Sequence, residues 1–336
     1  GYCSTCLWDV DWENLVFQQT QGTYRQYVEK LTGGQDYQAG PLFEGYKIPP
    51  SNPLNSSNTD NIIIKGMLTS AYPPALAYFN RQLFAAYVDK ATKQVRMAYR
   101  PQGKNYWVMI NSNSGRVLNL RSGGSPALIS YGNELYLSVR GLSSKKLYIA
   151  KSSTGKNWTQ SNLKIPGVKS ASGPSFSTLD TNSRSHPFSR SLVLSFRGSS
   201  SDYIYTMELD RSGNWQNPKR VKSFKTSNTP DIMSFNGGLL LAFKGVSSNN
   251  IYTSWSHNGV DWSDSIKLPK SIRSNRGPAL GCESSGCYIV FKGISSNRIL
   301  YSSTSDGINW SSPQIKQGLR TSGSIRLSNN DYLYPH

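Results

Sequence analysis

Acidic side chains are scarce in this chain: 19 Asp and Glu stand against 37 Lys and Arg in 336 residues, a formal net charge of +18. So few carboxylates leave little material for the facing acid pairs of glycoside hydrolysis. Histidines number three, and His186 and His257 have no Cys, His, Asp or Glu company at metal-ligand or triad spacing. No metal or other cofactor is therefore expected, and no nucleotide-binding glycine loop occurs. No apolar run approaches the ~20 residues of a membrane-spanning helix. Long helical periodicity is missing too, apart from a short helix expected near Tyr24–Leu31.

Cysteines are also few, in two close pairs, Cys3/Cys6 and Cys282/Cys287. Two disulfides are expected, the second stapling a hairpin. The alternative is one zinc site built from all four. It would require both pairs to converge and would join C-x-x-C to a less usual C-x4-C. Disulfides imply an oxidising compartment and hence a secreted protein. The chain opens on Gly1 rather than Met, as a processed mature form would.

The positive charge is dispersed, without a lysine or arginine tract. Such an excess favours an anionic partner, with acidic polysaccharide, sialylated or sulfated glycan and cell wall as candidates. A basic secreted protein without an anionic ligand is the plainer alternative. Nucleic acid is disfavoured by the implied compartment and by the absence of a nucleic-acid module. An oligomer is compatible with all of this.

What is present is a repeat of about fifty residues. Four copies carry Arg140-Gly141, Arg197-Gly198, Lys244-Gly245 and Lys292-Gly293 at the end of an apolar run. A tryptophan follows each glycine by 17 positions: Trp158, Trp215, Trp262 and Trp310. Pro126, Pro230 and Pro278 lie 15 residues before their glycines, whereas Pro174 lies 24 before Gly198. That unit thus carries about nine extra residues, placed within Asp180–Arg190. A weaker copy runs from Pro74 to Trp107, and another begins at Ser322 and is cut off by the C-terminus.

Each unit reads as four short strands separated by Gly, Asn, Ser and Asp clusters, with Asn236-Gly237 the clearest hairpin turn. A period of this length with four strands per unit predicts an all-β propeller. Six blades are expected, with five as the fallback. The ring is expected to close through strands from both chain ends, Asn61–Gly66 among them. Residues 61–336 would form the propeller, and residues 1–60 a segment that packs on it or completes it.

At the strand–turn–Trp segments the chain resembles the Asp-box propellers of the sialidase type, whose box reads Ser-x-Asp-x-Gly-x-x-Trp. Ser303-x-Ser305-x-Gly307-x-x-Trp310 matches with Ser for Asp, Asp210-x-Ser212-x-x-Trp215 keeps the Asp, and Asp306 falls one position out of phase. The whole repeat is also similar to secreted microbial propeller lectins. The resemblance covers roughly residues 62–336 and implies a fold rather than an activity. A sialidase-like enzyme would need an arginine triad, a Tyr/Glu pair and an acid/base Asp, and no arginine triad can be assigned.

A carbohydrate-binding module fits better, because the polar and aromatic residues themselves recur and repeated weak sites give avidity. The candidate ligand residues are Arg140, Arg197, Lys244 and Lys292, with Tyr148, Tyr205 and Tyr252, and with Trp158, Trp215, Trp262 and Trp310. Such sites would lie between adjacent blades, each combining a Lys/Arg-Gly-x-Ser-Ser loop with a neighbouring aromatic. The same tryptophans are suited to packing between blades, and the same basic residues to capping carbonyls. No catalytic residue is assigned. Asp231, on an innermost strand, is the first carboxylate to consider for a glycoside hydrolase or lyase, and a salt bridge is its simpler use. An extracellular assembly protein is the third reading, carried by the aromatic N-terminus.

Overall fold

The computed structural model describes residues 71–102, 107–110, 116–158, 165, 167–183, 186–283, 286–320 and 324–326. Cys3, Cys6, the helix expected near Tyr24–Leu31, the 1–60 segment and the Asn61–Gly66 strand lie outside them. Among the described residues there is no helix, and so none long and apolar enough to cross a membrane.

The chain is a β-propeller. Blade I holds β1 (Ala75–Phe79), β2 (Gln82–Val88) and β3 (Gln94–Arg100), with an outer edge split between β4 (Val108–Met109) and β5 (Arg116–Arg121). Blade II holds β6 (Ala127–Tyr131), β7 (Glu134–Arg140) and β8 (Leu147–Ser152). Blade III consists of β9 (Ser175–Ser183), β10 (His186–Arg197), β11 (Tyr203–Leu209) and β12 (Lys219–Lys225). Blade IV has β13 (Asp231–Phe235), β14 (Gly238–Lys244), β15 (Ile251–Ser256) and β16 (Ile266–Lys267). Blade V has β17 (Ala279–Glu283), β18 (Gly286–Lys292), β19 (Arg298–Thr304) and β20 (Gln314–Arg320). The described residues thus form five blades, the fallback count. Beyond blade V, Ile325 is buried and Arg326 reaches the interior.

Strands within a blade pair antiparallel, and the first strands lie side by side, β1 on β6, β6 on β9, β9 on β13 and β13 on β17. Three inner hairpins turn on two residues with positive φ: Asn80-Arg81 (48° and 58°), Gly132-Asn133 (54° and 60°) and Asn236-Gly237 (49° and 69°). That geometry matches the twist of the flanking strands. Cys282 and Cys287 form a disulfide across the β17–β18 hairpin. The extra residues of the third unit do not make a loop. They lengthen the inner hairpin, so that β9 has 9 residues and β10 has 12. His186 starts the second of these strands.

The core is divided among the blade interfaces. One apolar cluster joins blades I and II around Phe84, Met97 and Leu137. The next joins II and III around Ile149, Phe176 and Trp215. A third joins III and IV around Val193, Leu241 and Trp262, and a fourth joins IV and V around Phe235, Ile289 and Trp310. Alternation along each strand therefore sends side chains to two different neighbours, which is why the apolar runs are nearly continuous.

Candidate functional site

The basic residue at the end of each second strand faces inward, toward main chain. Arg140 donates from Nε to Ser170 O (2.8 Å) and from Nη1 to Gly123 O (2.9 Å), tying together the linkers on both sides of blade II. Arg197 binds Ser227 O (2.8 Å) and the Asp202 carboxylate. Lys244 Nζ donates to Ser227 Oγ (2.9 Å) and Gly245 O (3.0 Å), and Lys292 Nζ to Gly293 O (3.1 Å) and Asn275 Oδ1 (3.3 Å). Burial holds the pKa of Arg140, Lys244 and Lys292 below their ordinary values. These side chains fasten linkers. Of the two roles open to them from sequence, carbonyl capping is the one that engages their donors.

The tryptophans likewise take the packing role. Trp215, Trp262 and Trp310 are at most 9% exposed and sit in the interfaces with the preceding blades, while Trp158 packs partly buried between blades I and II. Three of the four rings are thus engaged in packing, and Trp158 keeps part of its surface exposed. In blades II, IV and V the turn before the tryptophan explains its placement. In blade V, Thr304 Oγ1 accepts from Gly307 N (2.9 Å), and Asp306 Oδ1 accepts from Ile308 N (2.8 Å) and Asn309 N (2.7 Å). Ser256 and Asn258 do the same in blade IV, and Ser152 and Thr154 in blade II. The box thus starts at Thr304, one residue shorter than the sialidase pattern, and Asp306 is its anchor rather than an out-of-phase residue. A Cβ on Gly155 would stand 2.4 Å from the Phe84 ring of blade I, so the turn must be glycine to seat against its neighbour.

The backbone N–H groups of Asn309 and Ile308, with the Asn309 amide, hold the Asp306 carboxyl well below the usual carboxylate range. A depressed folded pKa adds stability above the unfolded value of about 4, and that stability fades as pH falls toward the folded pKa. The melting temperature of Asp306→Ala is therefore expected to lie below that of the parent at pH 7. The gap should narrow steadily below about pH 4; a gap independent of pH would refute the turn-anchoring role.

Asp231 opens β13 and joins three blades. It accepts from Ser175 Oγ at the start of β9 and from Leu280 N in β17 (2.7 Å). Arg326, which donates to Pro174 O, couples electrostatically to it. Burial pushes the Asp231 carboxyl above its ordinary range, against the pull of Arg326 and of those hydrogen bonds. Both carboxylate oxygens are thus occupied by structural donors.

The open space lies between blades II and III. A cleft of about 420 Å³ is lined by Gly167, Val168 and Lys169 on one side and by Phe196, Ser199, Ser200, Ser201, Tyr205 and Pro218 on the other. Tyr205 is half-buried and stacks on Phe196, with ring centroids 5.5 Å apart and planes 15° apart. A Cβ on Gly198 would come 2.8 Å from the Tyr205 ring, so glycine lets the serine loop lie along it. Of the sequence candidates, Tyr205 is the one this cleft uses directly. Tyr252 stacks on Phe243 (5.5 Å), and Tyr148 packs against the blade I–II cluster with its hydroxyl 3.3 Å from Ser144 Oγ.

Val168 explains why this cleft is open. It lies six residues before its repeat proline, Pro174, and the equivalents are Leu120, Phe224 and Ile272. Phe224 stacks on Phe243 at 5.4 Å and fills the matching space between blades III and IV, while Ile272 is fully buried between IV and V. Valine is the smallest of the four. Next to it stands a second marker, a basic residue five before the proline: Arg121, Lys169, Lys225 and Arg273. Both positions recur at fixed spacing, which was the available signal for them.

No family model matches this chain, and neither does any curated protein. Solved structures do. SapL1 lectin in complex with alpha methyl fucoside superposes with a TM-score of 0.56 at 16% identity, over 76% of this chain and 84% of that one. The six-bladed lectin of Aleuria aurantia, described with a novel fucose recognition mode, gives 0.55 at 13%, over 75% and 80%. Hadza microbial sialidase Hz136 gives 0.52 at 12%, over 79% of this chain and 61% of its own. What they share is the fold. This chain has the propeller architecture common to those lectins and to that sialidase.

Proposed function

We propose that this chain is a carbohydrate-binding propeller, lectin-like rather than catalytic, acting outside the cell. The observation that carries the reading is the blade II–III cleft. It offers a sugar the three things sugar binding needs: an aromatic ring for C–H stacking, a row of hydroxyls and a cation at the rim. Tyr205 supplies the first, backed by Phe196 so that it needs no ordering on binding. Ser199, Ser200 and Ser201 supply the second, and Lys169 the third. The volume suits one or two sugar rings. Likeness to lectins solved with fucosides supports the reading at the level of fold. The oxidising compartment rests on the Cys282–Cys287 bridge.

The test uses the protein's own alternative. Val168→Phe should fill this cleft as Phe224 fills its neighbour. On a glycan array, retention of the preferred sugar is expected to fall at least tenfold, with the melting temperature nearly unchanged. A folded Val168→Phe protein that binds sugar as well as the parent would defeat the assignment of this cleft.

A further inference from the structure

One charged side chain, Lys169, lines the blade II–III cleft, and it stands in a costly arrangement. Lys169 pairs in register with Lys146 across an isolated antiparallel bridge. Partners in such a bridge stand on the same face, and like charges directly opposite destabilise the pair. Three other blades avoid the conflict at this register. Arg121 lies opposite Gln94 and Arg273 opposite Asn250, while Lys225 lies opposite Tyr203 with its Nζ 4.6 Å from the ring centroid. Blade V repeats two basic residues in register, with Arg298 opposite Arg320.

Around the II–III cleft more charge is added. Lys145, whose carbonyl accepts Ser170 N (2.8 Å), is exposed beside Lys146 and Lys169. On the facing wall, exposed Lys219 follows Pro218, a lining residue. Asp202, the acid that follows the serine loop, is paired with Arg197. Among the described residues no carboxylate pairs with Lys145, Lys146 or Lys169. Among the described residues the chain therefore keeps unpaired positive charge at the mouth of the cleft, at a register where its other blades mostly place neutral partners.

We infer that the cleft selects a sugar carrying a negative charge, a uronate carboxylate or a sulfate ester, held between Lys146 and Lys169. The ring lies on Tyr205, and the anion bridges the two ammonium groups and removes their repulsion. This inference rests on the reading of the cleft as a carbohydrate site.

The experiment is calorimetric titration of the full chain in about 0.15 M salt, on the order of the cellular value. The probes are a neutral glucose trisaccharide, the same trisaccharide with one glucuronate, and the same with one 6-sulfate. At least one charged form is expected to bind tenfold or more tighter than the neutral one, and comparison of the two tells carboxylate from sulfate. The Lys146→Gln/Lys169→Gln double variant should bring the charged sugar down to the neutral level and should raise the melting temperature. A control pair with the same change in net charge, Lys90→Gln/Lys270→Gln on exposed sites away from the cleft, should change neither affinity. Equal binding of neutral and charged forms would overturn the inference while leaving the carbohydrate site standing. So would a charge preference that survives in the double variant, or one lost equally in the control. Absence of binding by all three, or binding indifferent to Tyr205→Ala, would overturn both.

Discussion

Replacing Arg326 with methionine is expected to destabilise the propeller by about 3 kcal/mol, the lower end of the range for leaving a buried charge without its partner. The lower end applies because Asp231 keeps its hydrogen bonds from Ser175 and Leu280. Three blades meet at Asp231, so the loss should appear as an earlier cooperative unfolding in denaturant rather than as fraying of the C-terminus. The pH dependence carries the sign. Without Arg326, nothing charged offsets the burial that already raises the Asp231 pKa. A carboxyl whose folded pKa lies above its unfolded value adds stability at low pH and loses it as pH rises through the folded pKa. Arg326→Met should therefore recover relative to the parent on acidification. Asp231→Asn in the same chain should restore part of the loss at neutral pH, because the amide oxygen can still accept from Leu280 N without a charge. A single variant that melts like the parent, or a double variant no better than the single, would dissolve this axial link.

The second large effect belongs to Trp262. Truncation to alanine is expected to cost about 3–5 kcal/mol, as for a large buried aromatic, because the ring is 5% exposed between blades III and IV. Sugar binding at the II–III cleft by the protein that remains folded should be unaffected. Guanidinium titration measures the first quantity and calorimetry the second. Loss of binding without loss of stability would return Trp262 to the ligand site and reverse the assignment made from its burial.

Much of the architecture can be read from the chain. The 17-residue interval from glycine to tryptophan marks one blade after another, because a turn of fixed hydrogen bonding must deliver the ring to the neighbouring blade. The Asn236-Gly237 turn is legible for a similar reason, since few pairs accept positive φ twice. The roles of Arg140, Lys244 and Lys292 are not legible. A cation that binds a linker carbonyl and a cation that binds a sugar have the same neighbours in sequence and differ only in which way the strand end turns. Asp306 is hidden by register: shortening the turn by one residue moves the anchor while the glycine and tryptophan stay in place. Val168 and Lys169 sit in a segment with weak strand character, and their meaning appears only when all four equivalents are compared in space. Arg326 lies beyond the four clear repeats, and its partner Asp231 is 95 residues away in the chain.

The tryptophan that ends the turn in blades II to V packs against the blade before it, and the opposite face of blades I to IV receives the tryptophan that follows. Every described junction has this same direction. A surface that is a plug on one side and a socket on the other is not satisfied by mirror-like pairing; it is satisfied by going round. A fragment of two or three units would carry both the plug and the socket, and so would hold the information to build a ring from several separate copies of itself.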